Sequence, residues 1–225
     1  MAAIAETGPD ALLEPHVAEY KVDISVLGGV LETRLERTET GYRATHVVRA
    51  TGLSRLLAGG SISDTSEFEV VDDTLRPRRF ATEDTASRDR TQADIRFDWS
   101  ANTAAGSVNG EPFELELAEP MHDRISIQYK LMHDLLEGRA DSSYVLFEPD
   151  ELKDLDVRIV GEREVEVPAG RFRVLGVQQQ ATESRRITTL WCAPELGYLP
   201  VVIEQHRKGK LRMRATLKDY RPLDG

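Results

Sequence analysis

Two histidines, one cysteine and one run of cations are the residues whose types and spacing could do chemistry. His122 and His133 lie in "MHDRISIQYKLMHDLLEGRA", each followed by aspartate, and imidazole beside carboxylate is raw material for a metal site or a general base. On a helix the two rings return to nearly one face but stand about 16 Å apart at 1.5 Å per residue, so one ion cannot join them. Adjacent helical residues diverge, so neither His-Asp dipeptide is a ready ligand pair. A solvated helix end or rim accounts for both histidines, and neither a metal nor another cofactor is expected.

Cys192, beside Trp191 in "TLWCAPELGYLP", is the single cysteine, which excludes an intramolecular disulfide and a multi-cysteine metal site. A nucleophilic thiol needs a lowered pKa and a nearby base, and a strand end among apolar neighbours supplies neither. The chain has no G-x-S-x-G elbow, Walker loop or dinucleotide fingerprint. With 39 acidic residues, carboxylate pairs discriminate nothing. No catalytic residue is nominated.

The cations are concentrated in "HRKGKLRMR", where Arg207, Lys208, Lys210, Arg212 and Arg214 surround an expected hairpin turn. Such a strand face can simply be solvated and so discourage edge pairing. As a site, Arg207, Lys208 and Lys210 would contact an anionic lipid headgroup or an acidic partner. "RPRRF", Arg76 to Phe80, admits the same two readings.

The elements that must position these residues are mostly strands. "VAEYKVDISV" alternates Tyr20, Val22, Ile24 and Val26 with polar residues, and "LGGV" offers a turn. "GVLETRLER" and "GYRATHVVRA" continue with period two about Gly41, and "LSRLLAGG" reads as a short helical piece. Further hairpins turn at Asp72-Asp73 and at Asn109-Gly110, with Ile95, Phe97 and Trp99 facing one way. The period then lengthens: Ile125, Tyr129, Met132 and Leu136 fall at helical spacing, with Asp123 at the start and Gly138 past the end. Strands resume at "SSYVLFE", pass a polar loop "PDELKD", and close through "VPAGRF", "RRITTLWCAPELGYLPVVIEQ" and "LRMRATLKDY". Successive hairpins mean antiparallel pairing. The fold class is mainly β: a curved antiparallel sheet, barrel-like or a spiral β-wrap, around one principal α-helix near 122–137.

With 29 basic against 39 acidic residues the net charge is -10, which argues against nucleic acid. No apolar run is long enough to serve as a transmembrane segment. Residues 1–16 read as a flexible N-terminal segment and 17–225 as a single β-wrap domain. "MAAIAETGPD" has no positive or apolar signal segment, yet Ala3 to Ala5 resembles the small-x-small end of one, as in an exported chain whose signal peptide is removed. A flexible cytosolic N-terminus is the other reading.

The ordered motifs "TGLSRLLAGG", "ISDTSEFEVVDDTLRPRRF", "IRFDWS", "DRISIQYKLMHDLLEG", "VPAGRFRVLGV" and "TLWCAPELGYLPVVIEQ" resemble the bacterial family catalogued as domain of unknown function 3108. The likeness runs from about Val17 to Tyr220. It implies an exported, mainly periplasmic protein with a curved antiparallel sheet around a helix, similar in outline to periplasmic lipoprotein carriers. It carries over no catalytic residue.

The function expected is a non-enzymatic periplasmic protein that binds an apolar ligand, lipid or lipoprotein-like, or an envelope protein partner, and supports cell-envelope integrity. Trp99, Tyr129, Met132 and Trp191 are the candidate lining of an apolar cleft. The alternative is an envelope hydrolase or cell-wall-modifying enzyme whose site only the fold assembles.

Overall fold

Alternation of apolar and polar residues builds the strands. In "QADIRFD" Ala93, Ile95 and Phe97 are buried while Gln92, Asp94, Arg96 and Asp98 are exposed. The computed structural model describes residues 13–24, 27–52, 54, 59–87, 90–117, 121–139, 142–149 and 151–223. Its first eight strands are β1 (His16–Ile24), β2 (Leu27–Thr38), β3 (Gly41–Ala50), β4 (Ser61–Val71), β5 (Thr74–Asp84), β6 (Gln92–Asp98), β7 (Thr103–Val108) and β8 (Glu111–Glu116). A short strand β9 (Met121–Asp123) leads into helix α1 (Ser126–Leu136). The second half is β10 (Ser142–Glu148), β11 (Glu151–Val167), β12 (Gly170–Ala181), β13 (Arg186–Ala193), β14 (Leu199–Arg207) and β15 (Lys210–Pro222).

All fifteen strands among the described residues form one sheet, in the order β8-β7-β6-β5-β4-β3-β2-β1-β15-β14-β13-β12-β11-β10-β9. Every neighbour pairs antiparallel except β9 with β10. The sheet curls until β9 lies against β5 without hydrogen bonding to it, so the barrel is unclosed. This is the expected fold class.

The helix joins the two halves. Ile125, Tyr129 and Met132 pack with residues of β1 to β6 such as Tyr20, Phe68 and Phe80. Ile127, Leu131 and Leu135 pack with Tyr144, Leu155, Val177, Leu190 and Cys192 of the second half. Apolar residues on two sides of α1 thus fill the space between two facing halves of the one sheet.

The helix is shorter than 122–137 because Met121 to Asp123 pair with Val145 to Phe147 before the first turn. Asp123 Oδ1 then accepts the backbone N–H groups of Ile125 and Ser126 at 2.8 and 2.9 Å, which supplies the cap. Gly138, at φ 69°, ends the helix as expected. "LGGV" is strand rather than turn, and "PDELKD" is largely the start of β11. The helical piece expected at "LSRLLAGG" falls mostly outside the described residues. At Gly41 a side chain is impossible: its Cβ would lie 2.3 Å from the Phe68 carbonyl oxygen.

Candidate functional site: a cationic mouth

Four strands of the second half carry one face from the helix outwards. Because alternate residues share a face, β13 presents Cys192, Leu190, Thr188 and Arg186 in turn, and β14 presents Ile203, Gln205 and Arg207. Across β11 and β12 the same face runs from Val157 and Val177 through Leu155 and Gln179 to Lys153 and Ala181. The lining therefore changes from apolar beneath α1 to cationic at the hairpin tips.

At those tips lies a groove of about 1180 Å³. Among the described residues that line it, six of ten are basic, namely Lys153, Arg185, Arg186, Arg207, Lys208 and Arg212, and only Glu183 is acidic. Lys153 is neutralised by Glu148, with Nζ 2.6 Å from Oε2. Among the described residues the other five make no ion pair. Arg186 is the direct cross-strand neighbour of Arg207, and Arg207 of Lys210. Like charges directly opposite in a sheet are destabilising, so this row lowers stability for as long as no anion bridges it.

Of the three cations expected to meet an anion, Arg207 and Lys208 line the groove, while Lys210 adjoins it in register. Sequence reading missed Arg185 and Arg186, which the fold brings in from the next hairpin, and Lys153 from β11. The available signal was the "RR" that precedes "ITTLW".

A second groove, of about 780 Å³, lies between β3 and β6 and holds Trp99, Arg76, Arg78, Arg79 and Arg96. Its charges are largely matched. Arg79 forks onto Asp94 at 2.9 and 2.6 Å, Arg78 reaches Glu69 at 3.4 Å, and Arg76 covers the Trp99 ring at 5.6 Å. "RPRRF" thus resolves into a charge-balanced wall.

The four residues expected to line one apolar cleft are dispersed. Tyr129 is fully buried and stacked on Phe68 at 5.5 Å, and Met132 is core. Trp99 sits at the second groove, donating Nε1–H to the Pro77 carbonyl at 2.7 Å. Trp191 lies on the sheet face opposite Leu190, pressed over Gly176, whose Cβ would come within 2.7 Å of it. Arg163 caps that indole at 3.5 Å. Tyr129 and Met132 share the core on one side of α1, Trp99 and Trp191 pack at its margins on different strands, and among the described residues the four line no common groove.

His122 and His133 are not solvated: they are 1% and 3% exposed. They flank a charge network on α1 in which the Asp134 carboxylate accepts from Lys130 Nζ at 2.5 Å, Arg139 Nε at 3.0 Å and Tyr144 Oη at 2.6 Å. Burial alone would raise the Asp134 carboxyl, but His133, Lys130 and Tyr144 around it win and hold it well below the ordinary carboxylate range. Burial and the Lys130 charge push His122 down to about 3, and neither of its ring nitrogens has a hydrogen-bond partner among the described residues. None of these groups lines either groove. Among the described residues no cluster of three potential ligands could hold a metal.

The corner after β13 is structural. Pro194 to Leu196 form a single 3-10 turn, Gly197 and Tyr198 follow at φ 61° and 62°, and the Tyr198 N–H returns to the Ala193 carbonyl at 2.9 Å. Tyr20 Oη donates to the Pro200 carbonyl at 2.9 Å and ties the corner to β1. Burial pushes the Cys192 thiol far above its ordinary value, so it stays protonated and inert.

Fold and site together define an open β-wrap with a filled interior and a cationic mouth. The chain belongs to the protein family of unknown function DUF3108, whose model matches residues 19–216. In fold it is similar to a β-barrel-like DUF1849 protein of Brucella abortus, with TM-score 0.61 and 12% identity over 95% of this chain and 99% of that one. It also matches a Bacteroides fragilis protein of YmcC-like fold, provisionally described as exported, at TM-score 0.39 and 14% identity over 92% and 96% of the two chains. No curated protein matches the sequence. No described helix is long and apolar enough to cross a membrane.

Proposed function

We propose that the protein is a non-enzymatic binding protein of the bacterial envelope, acting in the periplasm, whose ligand is recognised first by its negative charge. The observation that carries this is the row Arg186, Arg207 and Lys210, set side by side with no carboxylate among them in a chain of net charge -10. Arginine forks suit phosphate and carboxylate oxygens. The periplasmic setting rests on the export that the family resemblance implies.

Calorimetric titration with pyrophosphate and with water-soluble dihexanoylphosphatidylglycerol tests the reading. Both anions bind the wild type, and affinity falls as salt rises. R186Q/R207Q loses about tenfold or more, since each charged hydrogen bond contributes about 1.5–3 kcal/mol. Both arginines are exposed, so the variant keeps its fold. A wild type that binds neither anion, or a double variant that binds as well as the wild type, overturns the proposal.

A further inference from the structure

We infer that the cationic mouth docks on an anionic bilayer surface, with Ile24, Leu152 and Leu211 entering the lipid interface around it. The inference rests on the anion-binding reading above and adds what the anion belongs to. Among the described residues four large apolar side chains stand out as exposed: Ile24 at 46%, Leu152 at 46%, Val160 at 42% and Leu211 at 49%. Single exposed apolar residues are ordinary, but their placement here is uneven.

Strand direction puts three of them on one rim. The connections β10 to β11, β12 to β13 and β14 to β15 all fall at the same end of an antiparallel array. Leu152 is the second residue of β11, between Glu151 and Lys153, and Leu211 the second of β15, between Lys210 and Arg212. β1 runs antiparallel to β15 with Asp23 opposite Arg214, so Ile24, the last residue of β1, reaches the same end. Val160 lies in the middle of β11 beside its bulge, away from the tips.

Leucines and an isoleucine set among arginines and lysines at hairpin tips are what an interfacial anchor requires: apolar side chains to enter the acyl boundary and cations to meet the phosphates. The overall charge fixes the approach. A chain at -10 is repelled by an anionic surface in most orientations. Beyond about 8 Å at physiological salt that repulsion is screened, and the nearest charges decide. Presenting the groove first brings five unpaired cations to the lipid before the acidic surface arrives. Asp23, next to Ile24 in sequence, is paired with Lys21 at 3.2 Å, and Glu183 remains as the one acidic group among the described residues of the groove.

Flotation with vesicles of phosphatidylglycerol mixed into phosphatidylcholine, against vesicles of phosphatidylcholine alone, is the test. The wild type floats with the first and not the second. I24S/L152S/L211S binds the anionic vesicles about tenfold more weakly or worse, the loss of roughly one leucine's burial, yet titrates pyrophosphate as the wild type does. L211W shows a blue-shifted emission on the anionic vesicles. If the triple variant floats like the wild type, or the wild type binds pyrophosphate but no vesicle, docking is wrong while the anion site stands. A wild type that binds an acidic peptide in place of vesicles likewise overturns docking and leaves the anion site, and one that binds neither pyrophosphate nor vesicles removes both proposals.

Discussion

In the first half of the sheet Arg79 stands directly across from Arg96, and in the second half Arg186 stands directly across from Arg207. The local problem is the same, two guanidinium groups side by side, but the solutions differ. Asp94 takes the fork of Arg79, and Glu67 stands a further 3.9 Å from it. The next residues inward on the Arg186 and Arg207 face are Thr188 and Gln205, which carry no charge. Helix α1 shows the opposite extreme, a single buried carboxylate saturated by Lys130, Arg139 and Tyr144. Charge that the fold neutralises itself is structural; charge left open at a mouth waits for something outside.

That contrast can be broken most severely at its internal pole. Asp134→Ala leaves the Lys130 ammonium buried without its acceptor, and stability falls by about 3–5 kcal/mol. For a chain of this size the thermal midpoint drops by roughly 10 °C, read by calorimetry. Anion binding at the rim is unchanged in the folded protein. A midpoint within a degree or so of wild type would mean that the network is not the internal counterpart of the open mouth.

A smaller effect concerns His122, where a polar ring is buried without compensation. His122→Leu raises stability by about 1–3 kcal/mol, the desolvation of the unsatisfied group. Its pH dependence has a definite sign. The folded ring titrates at about 3 against an ordinary 6.5, so as pH falls through this window the unfolded chain takes up the proton first and stability is lost. The variant's midpoint therefore falls less between pH 7 and pH 5 than the wild type's, and parallel curves would contradict the assignment.

The smallest change sharpens the comparison itself. Asp94→Asn frees Arg79 at a cost of about 0.2–1 kcal/mol, because the pair is exposed. The second groove then resembles the cationic mouth, and R186Q/R207Q/D94N binds pyrophosphate more strongly than R186Q/R207Q does. No gain over R186Q/R207Q would show that an unpaired arginine row is insufficient without the wider basic lining.

Much of the fold was legible in the sequence. Period-two runs marked β1, β3, β6 and β15, and the helical spacing of Ile125, Tyr129 and Met132 marked α1. Errors arose where a local signal had two meanings: "GG" at Gly28 and Gly29 reads as a turn but lies within a strand, and Met121 to Asp123 read as helix until β10 supplied a pairing partner. The site was legible only in part. Arg207 and Lys208 are close in sequence, whereas Arg185, Arg186 and Lys153 join them through strand pairing.

The sequence by itself determined the strands, the helix, the family and the acidic balance, because periodicity, turn chemistry and charge are properties of neighbouring residues. Only the tertiary structure decided which of the arginines are neutralised. Arg79 and Arg186 look alike in the chain, and their difference lies in what the adjacent strand places opposite and beside them. It also decided that Trp99, Trp191 and the Tyr129–Met132 pair on α1 form no shared cleft, since strand pairing and a sheet curvature that no local pattern encodes set where each packs.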